Sequence, residues 1–384
     1  MADTSFIEWP FFESRHRDLH QQVESFAQAH LQQLDHEDVD TCCKGLVEAL
    51  GHSGLLLHSG VTKDQPVIDV RSLCMIREIL ARYDGLADFA FAMQGLGSMP
   101  ISLFGTTQQQ SIWLPGIQKG DTISAFALTE PQSGSDVANI ALKADSHHNG
   151  YILNGEKTWI SNGGIADIYT VFARTGEQPG AKGLSAFLVP ADAVGLNVSE
   201  RLEAVSPHPL ATLAFENVVL DADAMLGNPG DGFKIAMASL DYMRSTVGAA
   251  ALGFARRALD ETIIRSKSRT LFDAPMSNLQ MIQGHIADMA LNVDASALLV
   301  YRAAWTKDNG AERITREASM AKLFATEQAQ LVVDQAVQIH GGDGVRKGHI
   351  MERLYREVRA LRIYEGATDV QKIIIARSTL SAGA

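Results

Sequence analysis

The stretch "GFKIAMASLDYMRSTVGAAALGFARRA", residues 232–258, contains no proline. Its positions Phe233, Met237, Leu240, Arg244, Val247, Ala251, Phe254 and Ala258 recur in alternating steps of four and three. That spacing places one stripe along a long helix, apolar except for Arg244. No proline interrupts between Pro229 and Pro275, so the helix can fill most of that interval. A second stripe runs through Ile282, Ile286, Met289, Val293, Val300 and Ala303. A third segment extends from about Ile314 to Ile339, where "GGDG" stops it. With the segment after Thr368 these make four helices, the number an up-and-down bundle needs.

Upstream the texture changes twice. Residues 12 to about 120 have helical spacing, broken at "GHSG", "YDG" and "LFGTT". From about 122 to 227 the chain turns to short β-rich runs: "TISAFALTE", "YILNGEKTWIS", "IYTVFART", "LSAFLVP" and "ATLAFENVVL". They follow one another too closely for intervening helices, which predicts a compact antiparallel β domain. Asn154-Gly155 is the strongest short hairpin signal. The expected fold is therefore multidomain α+β: a helical domain over 1–121, a β domain over 122–230 and a four-helix bundle over 231–384.

Composition excludes several functions. Of the 384 residues, 46% are hydrophobic and 20% charged, an ordinary globular balance that allows more than one core. A net charge of −12 argues against a protein that works by neutralising nucleic-acid phosphates. Cys42, Cys43 and Cys74 fit neither a disulfide framework nor a zinc knuckle, and the histidines show no metal-ligand spacing, so no metal is expected. The first twenty residues lack the marks of a signal or transit peptide, and no segment nears 18 apolar residues. A cytoplasmic protein without a membrane segment is the expectation.

Four features could carry chemistry. The loop "FALTEPQSGSDV", residues 126–137, could offer hydroxyls and N–H groups to a phosphate or heterocycle, or it could be a polar turn that caps itself. "GEKTWISNGG", residues 155–164, sets Trp159 and Ser161 beside paired glycines, where a tryptophan serves either a core or a cofactor platform. Arg244 needs a partner if its stripe is buried: Asp241 three residues earlier, or a ligand. A fourth feature is Glu365, between Tyr364 and Gly366 at a break between apolar segments. Capping the helix that begins near Thr368 is one use for it.

Taken together, six collinear segments resemble the acyl-CoA dehydrogenase family. "LTEPQSGSD" looks like its T-E-P-x-x-G-S-D loop, and "GEKTWISNGG" like its G-x-K-x-W-I-T/S-N-G strand. "LDYMRSTVGAAALGFARRAL" is similar to its D-x-x-R helix, and "RTLFDAPMSNLQMIQGHIADMA" to its R-x-x-F-G-x-P-x-x-x-x-Q run. "AVQIHGGDGV" and "ERLYREVRALRIYEGATDVQKIII" complete the set.

The resemblance implies FAD, held noncovalently, and an acyl-CoA substrate. It assigns Thr129, Trp159 and Ser161 to the flavin, and Ser135 to the face shared with the CoA chain. Arg269, Phe272 and Gln280 would hold the adenine dinucleotide, with Gln338, Gly341 and Gly342 supplied by a neighbouring subunit. A site shared in this way implies a homo-oligomer, commonly a tetramer. Gly366 and Thr368 would lie against the cofactor, and Asp241, Arg244 and Tyr364 near the substrate. "FAMQGLGSMP", residues 91–100, would line the acyl cavity through Met93, Gln94 and Leu96, hinting at a short, branched or cyclic acyl group.

Glu365 matches the family's base, which removes the α-proton of the thioester while the β-hydrogen leaves as hydride to flavin N5. The backbone N–H of the base and a flavin ribityl hydroxyl would hold the thioester carbonyl. Where some branches carry the base before the D-x-x-R arginine, this chain has Met243. An electron-transferring flavoprotein is the implied acceptor. An oxidase or monooxygenase on the same scaffold and a catalytically silent partner subunit are the competing readings. Asp273 stands where the family usually has glycine, Ala367 where it has threonine, and Pro207-His208-Pro209 in place of a G-x-R-x-S turn.

Overall fold

A computed structural model describes residues 3–32, 34–62 and 65–381. Five helices come first: α1 (Ser14–His30), α2 (Val39–His52), α3 (Val70–Tyr83), α4 (Gly85–Phe104) and α5 (Thr107–Lys119). Eight strands follow, β1 (Ser124–Ala127), β2 (Lys143–His147), β3 (Gly150–Ser161), β4 (Ile168–Arg174), β5 (Leu184–Pro190), β6 (Leu196–Arg201), β7 (Leu210–Asp221) and β8 (Met225–Leu226). Then come α6 (Gly232–Ser268), a small hairpin of β9 (Thr270–Leu271) and β10 (Ala274–Pro275), and the helices α7 (Gln280–Asp308), α8 (Thr315–His340), α9 (Ile350–Leu361) and α10 (Thr368–Ser381). The helix–strand–helix order matches the sequence reading.

The chain packs as two compact units. One gathers the described residues of 1–32, 69–88 and 244–384, the other those of 33–68 and 89–243.

In the second unit the strands form one sheet in the order β6-β7-β3-β2-β4-β5-β8, with β1 pairing β4. It is not wholly antiparallel as expected, because β1 and β2 each pair β4 in parallel. Asn154-Gly155 is not a hairpin turn either. The β2–β3 turn lies at His148 and Asn149, flanked by the His147–Gly150 pair. Gly155 sits inside β3 at a break in its register with β7, at φ 143°, which glycine adopts without a Cβ clash. The dipeptide makes a bulge. Beneath the sheet, Ile101, Leu114 and Ile117 are buried with Leu128, Ile140, Ile168 and Phe172, and the Phe126 and Phe172 rings are 4.8 Å apart.

The first unit is helical. Tyr301 of α7 meets Phe6 and Phe12, with ring centroids 5.9 and 4.7 Å away, and its hydroxyl donates to Glu78 of α3. Arg256 of α6 also binds Glu78, at 2.5 Å. At Gly253 a Cβ would come within 2.1 Å of the Glu78 carbonyl oxygen, so glycine sets how closely α6 approaches α3. The sequence reading missed α9, whose Met351, Leu354, Val358 and Leu361 are buried. These four recur in helical steps of three and four, but charged residues between them broke up the apolar run.

Candidate active site

Glu365 lies in the short loop between α9 and α10, at φ +52°, followed by Gly366 at φ +91°. A non-glycine residue in the left-handed region is uncommon and marks a position held by its surroundings. Among the described residues, no acceptor takes the Glu365 backbone N–H. Its side-chain Oε2 is sealed from solvent and also has no hydrogen-bond partner, although the residue as a whole is half-buried. A carboxylate that caps α10 would be bonded to that helix's amides, so this oxygen is not serving as a cap.

The electrostatics follow from that burial. Desolvation raises the proton affinity of Glu365, and the cations Arg77, Lys322 and Arg244 oppose the rise while Asp88 adds to it. Arg77 of α3 is fully buried and grips Asp88 with two bonds of 2.8 Å, while donating to the Thr246 hydroxyl at 2.9 Å. Arg244 of α6 is buried, 6% exposed, as its place on the apolar stripe required. Met243 beside it is fully buried and cannot take a proton. Lys322 of α8 donates to the Gly366 carbonyl at 2.8 Å. The sequence reading found Glu365 and Arg244 but missed Arg77, Asp88 and Lys322; their only signal was a charge inside an apolar helix. The Thr368 hydroxyl donates to Glu327 at 2.5 Å. Tyr364 is 40% exposed.

The second unit holds Thr129, Ser135, Trp159 and Ser161. The Thr129 loop is tied to β3 by a buried ion pair, Lys157 Nζ to Glu130 Oε1 at 2.7 Å. Glu130 also accepts the N–H groups of Ala141 and Leu142, at 2.5 and 2.9 Å, and Lys157 donates to the Leu128 carbonyl at 3.0 Å. Burial lowers the Lys157 pKa to about 8 against the pull of Glu130. The Thr158 N–H donates to the Thr129 carbonyl at 2.9 Å, which brings the loop against the strand.

The register of β3 with β7 shifts between Lys157 and Ile160. Trp159 sits in that bulge at φ +58° and is 58% exposed. It is not a core tryptophan; the strand turns it outward. Ser135 is exposed and Ser161 half-buried. Glu130 and Lys157 are the residues that the sequence reading passed over here.

Gln94 is engaged within the fold. Its side chain is fully buried, donating to the carbonyls of Ile117 and Thr122 at 3.3 and 2.8 Å and accepting the Ser124 N–H at 2.8 Å. An amide so fully used braces α4 against the following loop and strand and gives no sign of substrate size. Leu96 is buried and Met93 half-buried.

Back in the first unit, Arg269, Leu271, Gly341, Gly342 and Asp343 line a cavity of about 390 Å³ together with Arg265. Arg269 and the two glycines line this one cavity together within the chain. A Cβ on either glycine would meet nothing within 4 Å, so the wall there is bare backbone. Phe272, Gln280 and Gln338 are exposed and outside that lining. Phe272 and Asp273 form the β9–β10 turn at φ +51° and +62°. Among the described residues, no group of three or more His, Cys, Asp or Glu could hold a metal, and no helix is long and apolar enough to cross a membrane.

The chain matches three domain families: acyl-CoA dehydrogenase, N-terminal domain over residues 13–121, middle domain over 125–218 and C-terminal domain over 230–380. It is 42% identical over 279 residues to the short-chain specific acyl-CoA dehydrogenase, mitochondrial, of Bos taurus, covering 72% of this chain and 68% of the relative. It is 41% identical over 281 residues to the acryloyl-CoA reductase (NADH) of Anaerotignum propionicum, covering 72% and 71%. Butyryl-CoA dehydrogenase from Megasphaera elsdenii superposes with a TM-score of 0.89 at 31% identity, over 96% of this chain and 99% of that one. A chain solved in work on the electron transferring flavoprotein of Acidaminococcus fermentans gives 0.88 at 33%, over 96% and 98%. The residues that surround Glu365 and expose Trp159 are therefore parts of an enzyme, and the chain belongs to the acyl-CoA dehydrogenase family.

Proposed function

We propose that this chain dehydrogenates an acyl-CoA thioester between its α and β carbons, with Glu365 as the base that takes the α-proton. The observation that carries this reading is the buried, unpartnered Oε2 of Glu365 beside its own free N–H. A base needs an open lone pair, and an enolate-like oxygen needs a donor. One residue offers both. Arg77, Lys322 and Arg244 keep the carboxylate ionisable despite its burial, and closure of a substrate over it strengthens the base by removing water.

FAD is the family's cofactor, and the residues present fit it. An outward-turned Trp159, the hydroxyls of Thr129, Ser135 and Ser161, and an arginine-lined cavity with a bare glycine wall suit a planar ring and a dinucleotide. Thr129, Trp159 and Ser161 would hold the ring, with Ser135 where ring and substrate meet. Arg269, Gly341 and Gly342 would hold the dinucleotide, and Phe272, Gln280 and Gln338 would reach it from exposed positions. When bound, FAD supplies the hydride acceptor. Arg269 as a charged donor and Trp159 as an apolar face bind and orient it. Gly366 lets the loop turn at Glu365, and Tyr364, Asp241 and Arg244 line the approach of the thioester.

The acceptor we assign is an electron-transferring flavoprotein, supported by the similarity to a chain solved in that work. A homo-oligomer, with a tetramer as its commonest form, fits the exposure of Phe272 and Gln280. The similarity to an enzyme named as an acryloyl-CoA reductase supports a second reading, the reverse reaction, in which a protonated Glu365 returns the α-proton. The same residues serve both directions.

The test is Glu365→Gln. The variant should bind FAD and acyl-CoA and shift the oxidised flavin band without bleaching it, with the bleaching rate down by about 10² to 10⁴-fold. Bleaching within about tenfold of the unaltered protein means another group is the base.

A further inference from the structure

Helix α8 holds the Glu365 loop at its start, its apex and its end. Lys322 is fully buried and donates to the Gly366 carbonyl at 2.8 Å, an oxygen that also accepts Gln371 Nε2 at 3.0 Å. Five residues along α8, Glu327 receives Arg362 Nε at 2.9 Å and Nη2 at 2.7 Å, and the Thr368 hydroxyl at 2.5 Å. Arg362 opens the loop and Thr368 closes it. Between them the chain holds two successive left-handed residues, a conformation that needs outside support.

Lys322 forms no ion pair among the described residues, although a buried ammonium is costly. One carbonyl bond is weak compensation for a hidden charge. The charges that act on Lys322 are those of Glu365, Arg244 and Glu327, and those that act on Glu365 are Arg77, Lys322, Arg244 and Asp88. The ammonium's charge therefore acts on the carboxylate without an ion pair between them among the described residues.

We propose that Lys322 is the positioning residue for the base: it pins the Gly366 carbonyl so that Glu365 keeps its left-handed turn, and its charge favours the ionised carboxylate. Glu327 secures the two stems. This rests on the reading of Glu365 as the base.

The test compares Lys322→Met, which removes donor and charge, with Lys322→Gln, which keeps a donor and removes the charge. Both are made in the flavin-loaded protein. Bleaching by butyryl-CoA is followed against pH without oxygen, and amide hydrogen exchange is followed across residues 362–368. In Lys322→Met the acid limb of the rate should move to higher pH by about half a unit or more, since a neighbouring cation is gone. The loop amides should exchange faster. Lys322→Gln should show the same movement of the limb with slower exchange than Lys322→Met, and it decides the matter if the methionine variant does not fold. A folded variant whose limb stays within about 0.2 unit and whose loop exchange is unchanged overturns the proposal.

Glu365→Gln is run alongside. If that variant bleaches normally, the base assignment fails on its own account. Loop exchange in Lys322→Met then still decides whether Lys322 positions the turn.

Discussion

Lys157 of β3 and Glu130 of the loop after β1 form an ion pair of 2.7 Å in which the lysine is fully buried and the glutamate nearly so. The pair fixes the loop that carries Thr129 to the strand that carries Trp159. Removing one partner leaves the other charge in the core, so Glu130→Ala should destabilise by about 3 to 5 kcal/mol. The double change Glu130→Leu with Lys157→Met should cost less than Glu130→Ala alone, because no charge is stranded. Chemical denaturation of the three proteins checks the order. A double variant weaker than the single would mean that the Lys157 bond to the Leu128 carbonyl outweighs the cost of the stranded charge.

Trp159 gives the opposite signature. It is exposed and at φ +58°, so its side chain adds little to the fold and its backbone is strained. Trp159→Gly should leave stability within about 1 kcal/mol, or raise it slightly, because glycine relieves the strain. FAD retention through gel filtration should fall. Full retention with unchanged melting would mean that the ring serves neither cofactor nor core.

Much of this was legible because repeating patterns encode it. The stripe from Phe233 to Ala258 announced α6, and the β-rich runs announced the sheet. Glu365 stood out as a lone carboxylate at a break, and six motifs named the family. What escaped depended on register and on contacts distant in sequence. Asn154-Gly155 looks identical whether it turns a hairpin or bulges a strand, and only the pairing of β3 with β7 decides. Gln94 reads as a polar cavity residue until Ile117, Thr122 and Ser124 are folded around it. Lys322 lies 43 positions before Glu365, and no local pattern links an α8 lysine to a loop carbonyl.

Asp273 occupies a left-handed turn position at φ +62°, where the family's usual glycine has no Cβ to accommodate. Aspartate tolerates the region better than most residues, which explains how the substitution folds. Asp273→Gly should therefore change stability by no more than about 1 kcal/mol, in the favourable direction. It also removes a negative charge close to Arg269, so FAD should be retained more tightly, with an effect that fades as salt is added. A dissociation constant for FAD that is unchanged at low salt would separate Asp273 from the dinucleotide.

Burial raises the Glu365 pKa in the folded chain above its ordinary 4.5, and the cations around it only partly cancel the effect. The sign follows from proton counting. As pH climbs past about 4.5 the unfolded chain releases this proton while the folded chain still holds it, so this group's contribution to stability falls with rising pH. Once the folded carboxyl has also ionised, the loss is complete and the charge stands buried without a bonded partner on Oε2. A glutamine at 365 never ionises and carries no such loss. Glu365→Gln should thus melt about 1 to 3 °C above the unaltered protein at neutral pH. The difference should shrink as pH is lowered toward 5, where the wild-type carboxyl is increasingly protonated in both states. Paired melting curves at several pH values, with flavin saturation held constant, read this directly. Two curves that run parallel across the range would show that Arg77, Lys322 and Arg244 fully offset the burial, and Glu365 would then act as a base of ordinary strength until a substrate dries the site.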